Sequence, residues 1–353
     1  MRAGKLSIAE LRRRVLAYLG RRRPEVVVHA GVGLDSAVLD LRGDLCAVSS
    51  DPITGASEGA GRLGVIVSCN DVAAMGAAPV GVQVTLLLPE GAGPEDVEHL
   101  MKEISDTCQA LGIEVLGGHT EITSRVTAPV LVTTALGRVA RDRLVKASGG
   151  RPGDGLVVTK GVGIEGTAIL ATDFAGELEG RVAPDLLERA RRFSQELSVV
   201  DEALAAARLG ATAMHDVTEG GLYDACRELA TASGLGVELW MDRLPVRPET
   251  RAICDALGMD PAGLISSGSL LIAAPDAEAM VRGLEAEGFQ AFVVGRLMPD
   301  GFWRLAGEAR PGSGAGKLPF PEDEEDELWR FLRSRYKNRK LPMTPTTTPI
   351  GIS

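Results

Sequence analysis

Aromatic residues are scarce: Phe, Tyr and Trp together make up 4% of the 353 residues. Stacked aromatic platforms of the kind that hold single-stranded nucleic acid are therefore excluded. Positive charge is in deficit as well. Lys and Arg number 38 against 48 Asp and Glu, a net charge of −10. That excludes a binder of the nucleic-acid phosphate backbone. An acidic protein can still take a nucleotide through Mg²⁺ and backbone N–H groups. Cysteine is sparse and odd in number, with Cys46, Cys69, Cys108, Cys226 and Cys254 and no CxxC pair. Neither a disulfide framework nor a zinc ribbon is encoded. The five read as small buried hydrophobes in a reducing compartment. No apolar run is long enough to span a bilayer, and the N-terminus has no signal-peptide core. A cytoplasmic protein with no membrane contact is expected.

What is present is core-forming. Hydrophobic residues account for 45% and charged residues for 24%, the composition of a globular chain, and the length suggests two domains. Residues 63–79 are the densest stretch. Leu63, Ile66, Val67, Val72, Ala73 and Met75 leave almost no polar face on a helix, so the helix is buried. Asn70 and Asp71 fall in its middle. A buried carboxylate needs a cation, a donor network or a metal; the bland alternative is a satisfied core acid that staples a loop.

The rest reads as a mixed pattern of strands and helices, α+β, rather than a strict βαβ repeat. A capping box at Ser7–Glu10 opens a first helix. Short strands are expected at 26–29, 37–41 and 45–49, the last ending at Ser50-Asp51-Pro52. Residues 80–88 form a long strand, and 94–111 an amphipathic helix that Gly112 stops. A strand over 113–116 runs into the turn Gly117-Gly118-His119-Thr120-Glu121, and 129–136 closes the half. A turn-rich joint at 149–154 separates it from a second half of alternating strands and helices. An acidic run at 322–327 leads a terminal helix, and 344–353 is a Pro- and Thr-rich tail. The expected division is 1–148, 149–310 and 311–353.

Asp35 follows a Gly-x-Gly turn, Asp51 ends a strand, and His119 and Glu121 follow a Gly-Gly pair. Each alone is an ordinary turn former. With Asp71 they form a hard-ligand set suited to Mg²⁺, at places where backbone N–H groups can approach a ligand. His215-Asp216-Val217-Thr218-Glu219-Gly220-Gly221 opens another helix, whose N-terminus can hold an anion or simply be capped by Asp216 or Thr218. Two nucleotide signatures are weaker. Residues 312–317 fail as a P-loop, because Pro311 replaces its first glycine and Leu318 its Mg²⁺-binding hydroxyl. Gly161-x-Gly163-x-x-Gly166 follows a strand and opens a helix, but no acid-ended strand follows about twenty residues on. A tight strand-to-helix turn or a secondary phosphate contact is the preferred reading. An NAD or FAD oxidoreductase built on this loop is a low-ranked alternative.

GVGLDSAV, SSDPIT, NDVAAMGAAP, LGGHTEIT, RPGDGLVVTKGVGIEG, HDVTEGGL and ISSGSLLIA occur in this order over residues 25–300. Together they resemble the aminoimidazole ribonucleotide (AIR) synthase superfamily, with spacing closest to its HypE hydrogenase-maturation branch. The resemblance implies a two-domain fold of this type. Its N-terminal domain forms a β-barrel with a second copy, and ATP lies between the domains. It implies that Asp35, Asp51 and Asp71 hold Mg²⁺ and the triphosphate, with Asn70, Gly117, Gly118, Thr120 and Thr218 also binding cofactor. His119 and Asp216 are the implied catalytic residues. The implied chemistry is ATP-dependent phosphorylation or dehydration at an oxygen of a small metabolite or protein-borne group. A non-catalytic nucleotide-binding partner or maturation factor is the alternative. HypE ends in a cysteine that receives a carbamoyl group, whereas no cysteine follows Cys254 here, so that step is not expected in cis. Lys5, in a Gly4-Lys5 pair, reads as a solvated lysine.

Overall fold

The computed structural model describes residues 8, 26–28, 31–34, 37–40, 43–54, 59–305, 316–321 and 325–335. The helix expected after Ser7, the side chain of Asp35, most of the failed P-loop and the terminal tail lie outside these residues.

The first half contains β1 (Val26–Val28), β2 (Ala37–Asp40), β3 (Leu45–Ile53), α1 (Ala60–Ala74), β4 (Ala78–Pro89), α2 (Pro94–Leu111), β5 (Glu114–Thr123) and β6 (Val130–Val139). Its sheet runs β1-β2-β3-β6-β4-β5. All neighbours are antiparallel except the β4–β5 pair. Leu131, Thr133 and Ala135 of β6 alternate with half-buried Val132, Thr134 and Leu136. One face of the sheet is thus sealed by helices and the other is not. α2 follows its sequence pattern closely: Pro94 occupies the first turn, Leu100, Ile104 and Cys108 are buried, and Gly112 caps the end at φ +67°. It also seats α1, because Glu103 accepts from the N–H groups of Gly59 (3.1 Å) and Gly61 (2.9 Å) at the start of that helix.

The second half contains β7 (Gly155–Thr159), α3 (Ile164–Asp173), α4 (Ala175–Leu178), α5 (Pro184–Arg192), α6 (Val200–Arg208), β8 (Ala213–Val217), α7 (Gly221–Ser233), β9 (Gly236–Trp240), α8 (Pro248–Leu257), β10 (Ser269–Ala274), α9 (Ala277–Ala286), β11 (Ala291–Met298), β12 (Phe302–Leu305), β13 (Lys317–Pro319) and α10 (Glu327–Arg335). The sheet order is β13-β12-β9-β11-β7-β10-β8. Only β12 and β9 run parallel. β13 carries this sheet to residue 319, past the expected division at 310.

The halves share one core. Val65, Cys69 and Val72 of α1 pack in a single cluster with Val199, Val200, Ala203, Met214 and Ile272, and α1 lies against both α6 and β8. No described helix is long and apolar enough to cross a membrane.

Three sequence expectations need correction. Asp51 lies within β3 rather than at its end. Gly117–Glu121 is strand, not turn, because β5 continues through the Gly-Gly pair. A Cβ on Gly118 would stand 1.8 Å from the Val84 carbonyl oxygen, so only glycine lets β5 lie this close to β4. Asp216 likewise belongs to a fully buried strand. Leu86 is fully buried in the core of the first half. Leu86→Ala is expected to cost about 2–5 kcal/mol, read as a lower urea midpoint at unchanged slope.

Candidate functional site

Two carboxylates meet where β3 packs on α1. Ser49 and Asp51 are two residues apart on a strand and share a face; Ser68 and Asp71 are three apart on a helix and share a face. The four cross-pair. The Ser49 hydroxyl donates to Asp71 Oδ2 at 2.5 Å, and Ser68 Oγ stands 3.5 Å from Asp51 Oδ2 and donates to the Thr133 carbonyl at 3.0 Å. Asp51 and Asp71 are both half-buried. The full burial expected for Asp71 from its all-apolar helix is not observed, because it lies on the side of α1 that reaches Ser49. Directly across the ladder from Asp51, Thr133 is fully buried, and its hydroxyl has no hydrogen-bond partner among the described residues.

Asn70, the neighbour of Asp71, faces the second half. It is fully buried, and both ends of its amide are engaged: Nδ2 donates to the Leu197 carbonyl (2.9 Å), and Oδ1 accepts from the Val199 N–H (2.8 Å). It ties α1 to the second half through one N–H and one lone pair of its amide. The loop-stapling alternative weighed for this stretch is met by Asn70, one residue before Asp71.

The second half brings its own polar group to this boundary. His215 and Asp216 are buried at the end of β8, and His215 Nε2 lies 2.6 Å from Glu228 Oε2 of α7. The Gly31–Leu34 turn packs here too: a Cβ on Gly33 (φ +67°) would stand 2.2 Å from the Glu228 carbonyl oxygen. The turn that precedes Asp35 is thus pressed onto the helix opened by the His215–Gly221 motif. Thr218 and Glu219 are half-buried, and the Thr218 carbonyl accepts from Gly221 (3.1 Å) and Ser266 (3.2 Å).

Gly117, Gly118, His119 and Thr120 do not join this group within the chain. All are exposed on edge strand β5. Asp51, Thr133, Val84 and Gly118 form one row across four strands, which separates Gly118 from Asp51 by roughly 14 Å. His119 Nε2 is 3.6 Å from Glu121 Oε2, with both side chains more than half exposed.

The Gly161–Gly166 loop is a packing turn and not a dinucleotide cradle. The N–H groups of Gly163 and Ile164, which would bind a pyrophosphate, donate to Ser266 Oγ at 2.8 and 3.3 Å. A Cβ on Gly166 would meet the Leu264 side chain at 2.4 Å. The glycines serve close contact with Leu264 and the ISSGS segment that follows it, as the tight-turn reading expects. The start of α7 is similarly filled: Gly220 N–H donates to Asp326 Oδ2 at 2.7 Å, and Asp326 Oδ1 accepts from Leu328 N–H at 2.8 Å. Burial raises the Asp326 carboxyl to about 7 against these donations, with Glu219 adding to the rise. Burial also raises Glu165, which bonds to Ser267 and lies near Glu219. Sequence reasoning passed over Ser49, Glu228, Ser266 and Asp326. The first and third sit inside quoted motifs and Asp326 inside the acidic run at 322–327, but nothing local marks Glu228.

Residues 33–139 match the N-terminal domain model of the AIR synthase related proteins, and residues 151–304 match the C-terminal domain model. A Methanocaldococcus jannaschii protein named for hydrogenase expression and formation is 31% identical over 261 residues, covering 70% of this chain and 74% of the relative. Carbamoyl dehydratase HypE of Cupriavidus necator is 28% identical over 247 residues, 68% of each chain. The fold is also that of a crystal structure of HypE in complex with ATP, with a TM-score of 0.64 at 21% identity, covering 92% of this chain and 97% of that one. The chain belongs to the AIR synthase related family, whose N- and C-terminal domains it carries in order. Within that family it is similar to the HypE hydrogenase-maturation proteins.

Asp326 supplies a pH signature. Its folded-state value, about 7, lies above the usual aspartate range near 4. Between these values the folded chain keeps a proton that the unfolded chain has released, so this group's contribution to stability falls as pH rises through the window. Thermal melts from pH 4.5 to 7.5 should show the wild type losing ground to Asp326→Asn as pH rises. A constant difference would contradict the assignment.

Proposed function

We propose that the chain is a Mg²⁺-dependent ATP-binding enzyme that phosphorylates or dehydrates an oxygen of a small metabolite or protein-borne group. The observation that carries this reading is the Asp51–Asp71 pair, fixed by Ser49 and Ser68 on the helix that joins the two halves. The donor set fits the ion. Mg²⁺ prefers carboxylate oxygens, keeps several waters and takes its remaining ligands from phosphate. Among the described residues no three acid, His or Cys side chains form a group that could hold a metal. Asp51 and Asp71, with Asp35 after the Gly31–Leu34 turn, would hold it. When bound it would neutralise triphosphate charge and polarise the transferring phosphoryl group. The similarity to a carbamoyl dehydratase and to an ATP-bound HypE supports the same reaction class.

Asp216 and Thr218 are proposed to face phosphate or substrate from the second half; Asp216 follows His215 on β8, so its side chain lies on the opposite face of the strand from the His215–Glu228 pair. The chain's own thiols are not suited as acceptor. Burial raises every thiol of the chain, Cys69 and Cys254 to about 12 and Cys108 to about 11, so none is poised as a thiolate. A reduced, ATP-rich compartment, the cytoplasm, suits this chemistry.

We further propose a homodimer. The half-buried face of the first sheet and its exposed edge, with Val80, Leu116 and Ile122 about half exposed, suit coverage by a second copy. Dimerisation would bring Gly117–Thr120 and His119 to an enclosed position, as this reading requires. Sedimentation velocity should give a dimer for the wild type and a monomer for Ile122→Asp. A wild-type monomer at micromolar concentration would contradict it.

Isothermal calorimetry with Mg-ATP should show binding by the wild type, little binding in EDTA, and at least a roughly tenfold weaker Kd for Asp71→Asn. No binding at millimolar Mg-ATP would sink the proposal. Binding without turnover on any acceptor would favour a nucleotide-binding maturation factor.

A further inference from the structure

Lys160 is the only non-glycine residue with positive φ (+57°) among those described. An L-residue adopts that backbone only when its surroundings impose it. Here the side chain supplies the reason. Lys160 Nζ donates to the carbonyl oxygens of Ser198 (2.5 Å), Glu196 (3.1 Å) and Gly268 (3.1 Å). It also pairs with Glu202 Oε1 at 2.5 Å, and that carboxylate belongs to α6 and is buried. An ammonium has three N–H donors, and the three carbonyls take them, with Glu202 supplying the opposite charge. Lys160 therefore holds the 196–198 segment to the ends of β7 and β10 and to α6. Arg247 holds the same segment from outside, through both Glu196 carboxylate oxygens (2.7 and 3.1 Å) while stacking over Phe193.

The other side of this segment is the part Asn70 grips, at Leu197 and Val199. Lys160 and Asn70 thus hold alternate residues of one short stretch, one from the second half and one from α1. We infer that Lys160 is a positioning residue for the nucleotide site: it fixes the 196–199 segment from which Asn70 suspends α1, and so sets where Asp71 stands relative to the second half. The inference rests on the Mg-ATP reading above.

Two residues that act through one stretch are coupled, and a double-mutant cycle measures that coupling. Calorimetry with Mg-ATP on the full chain compares the wild type, Lys160→Met, Asn70→Ala and the double variant. Leu297→Ala, a fully buried change at the far end of β11, controls for lost stability. Each single variant is expected to weaken the Mg-ATP Kd about tenfold, with the double variant no weaker than about twice the worse single. Leu297→Ala should lower the Tm and leave Kd within about twofold, which separates positioning from general loosening. Unchanged affinity in Lys160→Met, or a double variant equal to the product of the singles, overturns the inference while leaving the nucleotide site standing. A wild type that does not bind Mg-ATP overturns that reading as well. If Lys160→Met does not fold, Glu202→Gln weakens the same anchor more gently, and it should raise Kd about threefold with the same non-additivity toward Asn70→Ala; no change there also overturns it.

Discussion

A buried side-chain amide orders this molecule. Asn70 spends both of its polar ends on one segment of the second half, inside a core that the two halves share. Removing it would leave a buried carbonyl and a buried N–H without partners, at roughly 1–3 kcal/mol each. The larger consequence is geometric. Helix α1 is pinned at Gly59 and Gly61 by Glu103 and at Asn70 by the 197–199 backbone, so it cannot rotate without breaking both ends. Asp71, the next residue, inherits that fixed orientation.

Around this constraint, the buried polar groups that hold the fold differ from the half-buried carboxylates beside them. The amides that open α3 are consumed by Ser266, and Gly220 at the start of α7 is occupied by the chain's own Asp326. Glycine-rich helix starts, the usual places to look for phosphate, are thus internally satisfied at both points. Asp51 and Asp71 differ in kind: they are half-buried, held by hydroxyls, and sit beside a buried Thr133 hydroxyl. Half-buried carboxylates beside the segment that joins two halves suit a metal–nucleotide.

Much of this was legible in the chain itself. Periodicity and caps placed α2 at its observed ends, and the apolar run at 63–75 announced a helix deep in the core. The ordered motifs pointed to the family. What escaped was set by non-local contact. The Gly-Gly pair looks like a turn in isolation, and it is a strand because Val84 lies against Gly118. Asn70 and Asp71 are adjacent in sequence and point to opposite duties, since one meets Leu197 and the other Ser49. Lys160 lies inside one of the ordered motifs, but its meaning comes from carbonyls 36 to 108 residues away. The short strands β12 and β13 were missed because they exist only through pairing with β9 and each other.

The central claim is that Asp51 and Asp71 hold the metal of a metal–nucleotide. A crystal grown with Mn²⁺ in place of Mg²⁺ and a non-hydrolysable ATP analogue tests it most directly, because anomalous scattering locates the ion without reference to the protein density. The account predicts a manganese peak within coordination distance of both carboxylates and bridging to the nucleotide phosphates. A nucleotide bound with its metal elsewhere, or no manganese between Asp51 and Asp71, would contradict it.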